Sequence, residues 1–209
     1  MTKTVLNFDE GNQTGGMGAI SPAMVTESFA EQIEQEMISR AIAGLTSEEN
    51  HYQGILYLGG IIVDGNPMTI EYNARWGDPE GQVVLPSVET DYLEIVKACL
   101  EGRLDSLQVQ QDNKTRVCVI GSSRGYPNDY SEVIGKRIYG LKEAMKIEGV
   151  TLFGAGVKVE EGRFYAHGGR LFSVMAEGTN ILEAKQRAYS AMARISIEDN
   201  NLHYRTDIG

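Results

Sequence analysis

The chain has 209 residues, a mass of 23.0 kDa and a formal net charge of -10. This acidic balance excludes a general nucleic-acid binder, which neutralises phosphates with Lys and Arg, but it allows nucleotide binding at a local site. No signal peptide and no apolar run long enough to cross a bilayer stands in the sequence. The two cysteines, Cys99 and Cys118, lie in apolar runs without metal-ligand spacing. We therefore expect a soluble, cytoplasmic protein that contacts neither nucleic acid nor membrane.

A glycine-rich segment at residues 14–22 follows the first short apolar stretch. Gly15, Gly16 and Gly18 place three glycines in four positions. Such a loop adopts positive φ angles and brings the backbone close to a ligand, and its successive N–H groups form an anion-binding nest. The alternative is an ordinary flexible connector, and composition alone leaves both open.

Two helices are predicted in the first half of the chain. The first begins at Thr26, which is placed as an N-cap, and ends near Gly44. Its apolar residues recur at spacings of three and four, which indicates a face packed in the core. That face comprises Phe29, Ile33, Met37, Ile38, Ala41 and Ile42. The second helix is capped by Asp91 and ends at Gly102.

A hairpin is predicted between these helices. Residues 54–63 are interpreted as a buried strand or pair of strands, and a turn at 64–67 leads into a further strand. In that strand Met68, Ile70, Tyr72 and Ala74 alternate with polar residues, which predicts one packed face and one polar face. Glu71, Asn73 and Arg75 then lie on one face, about 6–7 Å apart. A carboxylate and an amide oxygen suit Mg²⁺, and an arginine suits phosphate. The alternative is an ordinary solvated strand face. A Gly-Asp-Pro turn ends the strand and presents Asp78.

The second half of the chain is strand-rich. A polar run at 108–114 predicts a boundary between domains at residues 1–110 and 111–209. Strands are expected at 117–121 and 171–177, with a hairpin formed by 150–159 and 164–167. A last helix is expected at 181–195. Its packed face is predicted to contain Leu182, Ala184, Ala188, Met192 and Ile195. This pattern is typical of an α+β domain.

Five motifs carry a resemblance to a known family. In chain order they are Thr-Gly-Gly-Met-Gly-Ala-Ile-Ser-Pro at 14–22, Glu-Tyr-Asn-Ala-Arg-Trp-Gly-Asp-Pro-Glu-Gly-Gln at 71–82, Gly-Tyr-Pro at 125–127, Gly-Gly-Arg at 168–170, and Tyr-Arg-Thr-Asp-Ile-Gly at 204–209. Together they resemble the C-terminal half of the phosphoribosylamine–glycine ligase (glycinamide ribonucleotide synthetase) family, ATP-grasp enzymes of purine biosynthesis. The resemblance implies an α+β fold: the second half of an ATP-grasp domain, followed by a small strand-rich C-terminal α+β domain.

The same resemblance implies a reaction and its participants. ATP, as co-substrate, phosphorylates the carboxylate of glycine, and the amine of 5-phosphoribosylamine displaces phosphate from the glycyl phosphate. Mg²⁺ or Mn²⁺ is the implied metal. Carried over by position, the roles are metal binding for Glu71 and Asn73, catalysis for Arg75 at the phosphoryl group and for Asp78 at the glycine amine, and substrate binding for Gly15, Gly16, Gly18 and Arg170. For Arg170 the alternative is an ordinary surface arginine of a hairpin.

The resemblance is incomplete in sequence and in length. Residues 11–14 read Gly-Asn-Gln-Thr where the family commonly has Gly-Pro-Asn-Thr, and Trp76 stands where Phe is usual. The family is about twice this length, and its first half supplies most of the adenine pocket and a phosphate-binding lysine. We therefore expect a portion of the ligase that needs a complementary N-terminal half. The alternative is a non-catalytic folded fragment that acts as a binding or assembly module. A different ATP-grasp ligase, such as a carboxylase, does not account for the first and third motifs.

Overall fold

The structure, a computed structural model, describes residues 2–22, 24–48 and 52–209, without the side chains of residues 24–27. Its strands are β1 (Thr2–Thr4), β2 (Gln13–Ser21), β3 (Tyr57–Val63), β4 (Asn66–Asn73), β5 (Thr115–Ser123), β6 (Arg137–Tyr139), β7 (Val150–Gly154), β8 (Val157–Glu160), β9 (Arg163–Ala166), β10 (Arg170–Gly178), β11 (Ser196–Ile197) and β12 (Leu202–His203). Its α-helices are α1 (Met24–Ile33), α2 (Ser39–Ser47), α3 (Gly81–Val84), α4 (Tyr92–Leu100), α5 (Leu141–Ala144) and α6 (Ile181–Met192), with a π-helical segment at Glu34–Ile38 between the first two. The expected mixture of helices and strands is confirmed.

Two compact units are built from alternating segments of the chain. Unit 1 contains Met1–Ser21, Asp78–Ser87 and Asn113–Gly209, and unit 2 contains Pro22–Gly77 and Val88–Asp112. The predicted boundary between residues 110 and 111 lies close to the last passage of the chain from one unit to the other. The division into two consecutive domains stays a prediction.

A six-stranded sheet forms the centre of unit 1. Its order is β1-β2-β5-β10-β7, and β12 also pairs with β5. Strand β5 is rich in β-branched and apolar residues, which favour a buried strand, and it pairs antiparallel with β10 over its length. Helix α6 packs on these two strands through Ala184, Ala188 and Met192, which are buried as predicted. Leu182 is 75% exposed, so its assignment to the packed face was wrong.

A smaller sheet of order β11-β6-β9-β8 completes unit 1. The predicted hairpin is confirmed for β8 and β9, whose turn places Glu161 and Gly162 at positive φ. The single strand predicted at 150–159 was wrong, because the chain leaves the large sheet after β7 and enters the small sheet at β8. Gly156 lies at this break, where an added Cβ would stand 2.7 Å from the Cα of Gly168. The close crossing of these two backbones interrupts the strand.

Unit 2 contains the predicted hairpin, β3 paired antiparallel with β4. Helix α4 has the predicted cap, since the Asp91 carboxylate accepts a hydrogen bond from the Leu93 N–H at 2.9 Å. The first helix begins at Met24 and reaches Ser47, beyond the predicted end near Gly44. The cap assigned to Thr26 lies outside the described side chains.

The apolar faces of unit 2 are less buried than predicted. In the first helix Met37 is buried, whereas Ile38 and Ile42 are exposed. On β4, Met68 and Ile70 are 54% and 55% exposed. The burial of Met37 agrees with the prediction, whereas the packing predicted for the exposed positions was wrong, because an apolar face is buried only when a second layer covers it. Alternation identifies such a face without supplying its cover.

Candidate functional site

The two predicted metal ligands lie on β4 in unit 2. Glu71 and Asn73 are two residues apart, share one face of the strand and are both half-buried. Glu71 lies opposite Gly59 of β3, where an added Cβ would stand 3.0 Å from the Glu71 Cγ. The next pair is Gly60 with Thr69, so a bulge in β4 precedes Glu71 and locally redirects the strand. Glycine at position 59 therefore leaves room for the carboxylate on a bent hairpin strand.

This pair of donors fits a hard divalent cation. Mg²⁺ usually takes one or two protein oxygens and fills its remaining positions with water and substrate phosphate. Within residues 2–22, 24–48 and 52–209, no group of three or more His, Cys, Asp or Glu side chains is arranged to hold a metal. The oxygens of Glu71 and Asn73 suit a cation shared with a phosphate substrate.

Arg75 lies beyond the end of the strand. Strand β4 ends at Asn73, and Arg75 occupies the bend that follows, exposed, with its Nη1 donating to the Trp76 carbonyl oxygen at 2.8 Å. The indole Nε1 of Trp76 donates to the Tyr92 hydroxyl at 2.9 Å and ties this bend to α4. The prediction that Arg75 continues the strand face was therefore wrong, and its guanidinium is carried on an anchored bend.

The glycine-rich segment is a strand rather than the predicted loop. Gly15, Gly16 and Gly18 belong to β2, and Gly18 pairs with Val119 of β5. The Gly15 N–H donates to the Tyr126 hydroxyl at 3.2 Å, and the Gly16 N–H donates to the Thr14 Oγ1 at 3.0 Å. Because these N–H groups have oxygen acceptors within the protein, the predicted anion nest is not formed here. A role of the glycines in substrate binding stays a prediction.

Four of the predicted site residues meet in unit 1. Arg170, at the start of β10, donates from Nη1 and Nη2 to the two carboxylate oxygens of Asp78 at 3.1 and 2.9 Å. Its Nη1 also lies 3.3 Å from the carbonyl oxygens of both Gly15 and Gly16, and 3.2 Å from that of Asp78. An added Cβ at Gly15 would stand 3.2 Å from the Arg170 Cζ. The glycine in β2 therefore admits the guanidinium, which joins three distant segments of the chain.

A cavity of about 100 Å³ adjoins this cluster. It is lined by Asp78, Gln82, Ile120, Phe153, Gly154, Ala155, Arg170, Phe172 and Ser173. Gln82 donates from its Nε2 to the Asp78 Oδ1 at 3.2 Å, so Asp78 is oriented by two side chains. The sequence interpretation missed Gln82 and Ser173. The available signal for Gln82 was its place four residues after Asp78, across the start of a short helix.

The C-terminal motif forms a separate polar cluster in unit 1. Arg205 is 3% exposed and binds both carboxylate oxygens of Asp207, at 2.8 and 2.6 Å. Its Nη1 donates to the Asp9 carboxylate at 2.9 Å and to the Thr4 hydroxyl at 2.7 Å. The hydrogen bonds from Arg205 lower the pKa of Asp207 to about 2. Arg205 thus fastens the C-terminal motif to the N-terminal segment, a role that the sequence interpretation missed.

Comparison with known proteins covers most of the chain. Residues 2–81 match the family model "Phosphoribosylglycinamide synthetase, ATP-grasp (A) domain", and residues 116–209 match "Phosphoribosylglycinamide synthetase, C domain". Phosphoribosylamine–glycine ligases of Caldanaerobacter subterraneus and Vibrio vulnificus are each 38% identical, over 99% of this chain and 48% of theirs. The crystal structure of a Thermotoga maritima phosphoribosylamine–glycine ligase matches with a TM-score of 0.83 and 31% identity, over 100% of this chain and 50% of that one.

A more distant likeness concerns the fold alone. N5-carboxyaminoimidazole ribonucleotide synthetase from T. maritima matches with a TM-score of 0.55 and 19% identity, over 86% of this chain and 45% of that chain.

The fold and the matched domains define an ATP-grasp protein. The chain belongs to the phosphoribosylglycinamide synthetase family, of which it represents the C-terminal half. It spans about half the length of the curated relatives that it matches.

Proposed function

We propose that the chain is the metal- and substrate-binding portion of an ATP-dependent ligase that joins glycine to 5-phosphoribosylamine through glycyl phosphate. The observation that carries this proposal is the carboxylate–amide pair Glu71 and Asn73 on β4, in a chain of this family. The rigid hairpin supports the pair, because strands fix ligand geometry better than loops do. ATP, glycine and 5-phosphoribosylamine are the proposed substrates, and de novo purine biosynthesis in the cytoplasm is the proposed setting.

The residues of unit 2 act on the phosphate end of ATP in this proposal. Glu71 and Asn73 hold Mg²⁺ or Mn²⁺, which when bound supplies positive charge to the phosphate oxygens. Arg75 donates to an oxygen of the transferring phosphoryl group or to the glycine carboxylate. Its exposed guanidinium and its anchored bend support that role, since preorganised donors stabilise charge that develops in the transition state.

The residues of unit 1 act on the amino acid. Asp78 accepts hydrogen bonds from the ammonium group of glycine, and the backbone at Gly15, Gly16 and Gly18 forms a wall of the substrate pocket. The five contacts of Arg170 favour a role in orienting Asp78 over the direct substrate binding that the resemblance implies. Arg170 is then a positioning residue.

A complementary N-terminal half is the proposed partner. It would supply the adenine pocket and the phosphate-binding lysine that the family resemblance assigns to the preceding half. The exposed apolar side chains of the β3–β4 hairpin support such a partner, since apolar surface of this kind is typical of an interaction site. They are Ile61, Val63, Met68, Ile70 and Tyr72. The same exposed side chains favour the second candidate function, a non-catalytic fragment that acts as an assembly module.

Turnover separates the two candidates. ADP release from Mg·ATP would be measured with glycine and phosphoribosylamine generated in situ, for the chain alone and for the chain mixed with the N-terminal half of the Caldanaerobacter ligase. Turnover that occurs only in the mixture, and not with the chain alone, supports the split ligase. Turnover by the chain alone would contradict the need for a partner, and a stable but silent complex would favour the assembly module.

Variants connect that turnover to the proposed residues. Glu71→Gln should weaken the Mg²⁺-dependent turnover of the mixture, because it removes a metal-binding carboxylate oxygen. Arg75→Ala should reduce turnover by about 10²-fold or more, the usual effect of losing a transition-state donor. Glu34→Gln and Arg40→Ala carry the same charge changes on exposed positions of unit 2 and should leave turnover unchanged. Wild-type rates in the first two variants would refute the proposed site.

A further inference from the structure

A polar groove of about 400 Å³ lies in unit 1, formed by residues that the proposed function does not use. It is lined by Arg137, Ile138, Tyr139, Gly140, Leu141, Lys142, Glu143, Gly162, Arg163 and Phe164. These residues come from β6, α5 and β9 and from the positions directly before α5 and β9. The volume is within the range of small-molecule binding sites, about 300–1,000 Å³.

Three cationic side chains converge on this groove. Within the described part of the chain, none of Arg137, Lys142 and Arg163 forms an ion pair with a carboxylate, whereas Lys158 on the adjacent β8 pairs with Glu160 at 2.7 Å. The chain as a whole has 29 acidic residues and 19 Lys and Arg residues. Because acidic residues outnumber basic ones in this chain, three cationic side chains that line one groove without acidic partners create a local positive potential that favours anion binding.

Aromatic rings hold two of the cations in place. The Arg137 guanidinium carbon lies 4.6 Å from the centre of the Tyr139 ring, and the Lys142 Nζ lies 5.9 Å from that of Phe164. A cation held over a ring face keeps N–H donors for a ligand, and its prior immobilisation lowers the entropic cost of binding.

The carboxylates near the groove oppose this potential in part. Glu198 accepts hydrogen bonds from the Tyr139 hydroxyl and the Arg137 backbone N–H, each at 3.0 Å. Its carboxylate oxygens are therefore bound to these donors rather than to the cationic side chains of the groove. Glu143 is the acidic residue among the lining side chains. Three cations therefore face one lining carboxylate.

We propose that this groove binds a small phosphorylated metabolite that carries a ring, of about the size of a nucleoside monophosphate. Arg137 and Arg163 donate to the phosphate, since a guanidinium fork matches two phosphate oxygens, and Lys142 adds a point charge. The side chain of Tyr139, which is 40% exposed, provides surface for the ring. This binding does not depend on the proposed ligase reaction.

Calorimetric titration of the full chain with AMP tests the proposal, and chemical-shift changes at the backbone amides of Gly140 and Gly162 locate the ligand. The double variant Arg137→Ala/Arg163→Ala and the single variant Lys142→Ala should each weaken AMP binding by about ten- to hundredfold, the usual effect of losing a charged hydrogen bond. Circular dichroism would establish that each variant is folded.

The controls separate this groove from other anion sites. Lys146→Ala removes one positive charge four residues from Lys142, at an exposed residue that does not line the groove, and should leave AMP binding unchanged. Arg75→Ala, in the proposed ATP-binding portion, should also leave it unchanged. The proposal is overturned if AMP does not bind at millimolar concentration, if the groove variants bind it like the wild type, or if Lys146→Ala weakens it equally.

Discussion

The pair formed by Arg170 and Asp78 allows a quantitative test of how unit 1 is held together. Arg170→Lys keeps the charge but replaces a planar fork with one ammonium group, which cannot reach both carboxylate oxygens and the carbonyl oxygens of β2 in the same geometry. Asp78→Asn keeps the shape of the partner and removes its charge. The double variant completes a cycle that isolates the interaction of the two side chains.

The expected magnitude depends on the exposure of the pair. A hydrogen bond to a charged group contributes about 1.5–3 kcal/mol when it is buried, and an exposed ion pair contributes about 0–1 kcal/mol. The side chains of Arg170 and Asp78 are 22% and 46% exposed, so the pair lies between these limits. We expect Arg170→Lys to lower the free energy of unfolding by about 1–2 kcal/mol, and the coupling energy of the cycle to be about 1 kcal/mol.

Hydrogen exchange at the amides of β5 and β10 is the appropriate assay. The chain has one tryptophan, Trp76, and it lies in unit 2, so its fluorescence does not report on the unit that contains the pair. Amides that exchange only when the unit unfolds globally give its free energy of unfolding, here measured at β10, which begins at Arg170, and at its neighbour β5. Arg124→Lys, at an exposed position of the same unit, should change nothing. Additive effects of the two substitutions, within about 0.3 kcal/mol, would refute the inferred coupling.

Acid should destabilise unit 1 through Asp207. The pKa of this carboxyl is about 2 in the folded protein, below its ordinary value of 3.8. Because this pKa is lowered, the ionised carboxylate stabilises the folded state at pH values above about 4, by on the order of 2 kcal/mol, and this contribution is lost as the pH falls from 4 to 2. The free energy of unfolding, measured against pH, should therefore change less over this range in Asp207→Asn. Gly18→Ala should lower the melting temperature, by an amount equivalent to about 1–3 kcal/mol, because its Cβ would stand 2.8 Å from the Cys118 carbonyl oxygen. Gly154→Ala meets no atom within 4 Å and is the control; equal melting temperatures for the two variants would contradict the packing argument. Burial raises the pKa of the Cys118 thiol to about 12, so at pH 8 this thiol should resist a disulfide reagent that modifies the half-buried Cys99, and equal labelling of the two would show that unit 1 opens there.

Short sequence patterns predicted the features of the fold that depend only on residues close together in the chain. The cap at Asp91 and the turn between β8 and β9 depend on neighbouring residues, and both were predicted correctly. The hairpin that carries Glu71 and Asn73 was predicted for the same reason, since alternation and a turn are visible in a short stretch of sequence. Spacing left these two residues open between a magnesium site and an ordinary solvated strand face, and the family resemblance then assigned them to a metal.

Long-range contacts account for the main failures. The glycines of β2 were interpreted as a loop because composition records their flexibility, whereas in the structure β2 pairs with the distant β5 and contacts a guanidinium 155 residues away. The role of Arg205 was missed for a similar reason, since its partners Asp9 and Thr4 are separated from it by 196 and 201 residues. A single sequence offers no signal that pairs such positions.

The two faces of β4 illustrate how packing and function are divided along one strand. Alternation predicted an apolar face in the core and a polar face toward solvent, yet Met68 and Ile70 are more exposed than Glu71 and Asn73. Half-burial of the polar face restricts the side chains of the donors and so supports a defined metal geometry. Exposure of Met68 and Ile70 leaves hydrophobic free energy available for association, at roughly 25 cal/mol per Å² of surface buried. The bulge between Thr69 and Glu71 breaks the period of two, so the donors and the exposed apolar side chains are not divided between two regular faces. The strand that would hold the metal is nevertheless also the strand that would bind the complementary half.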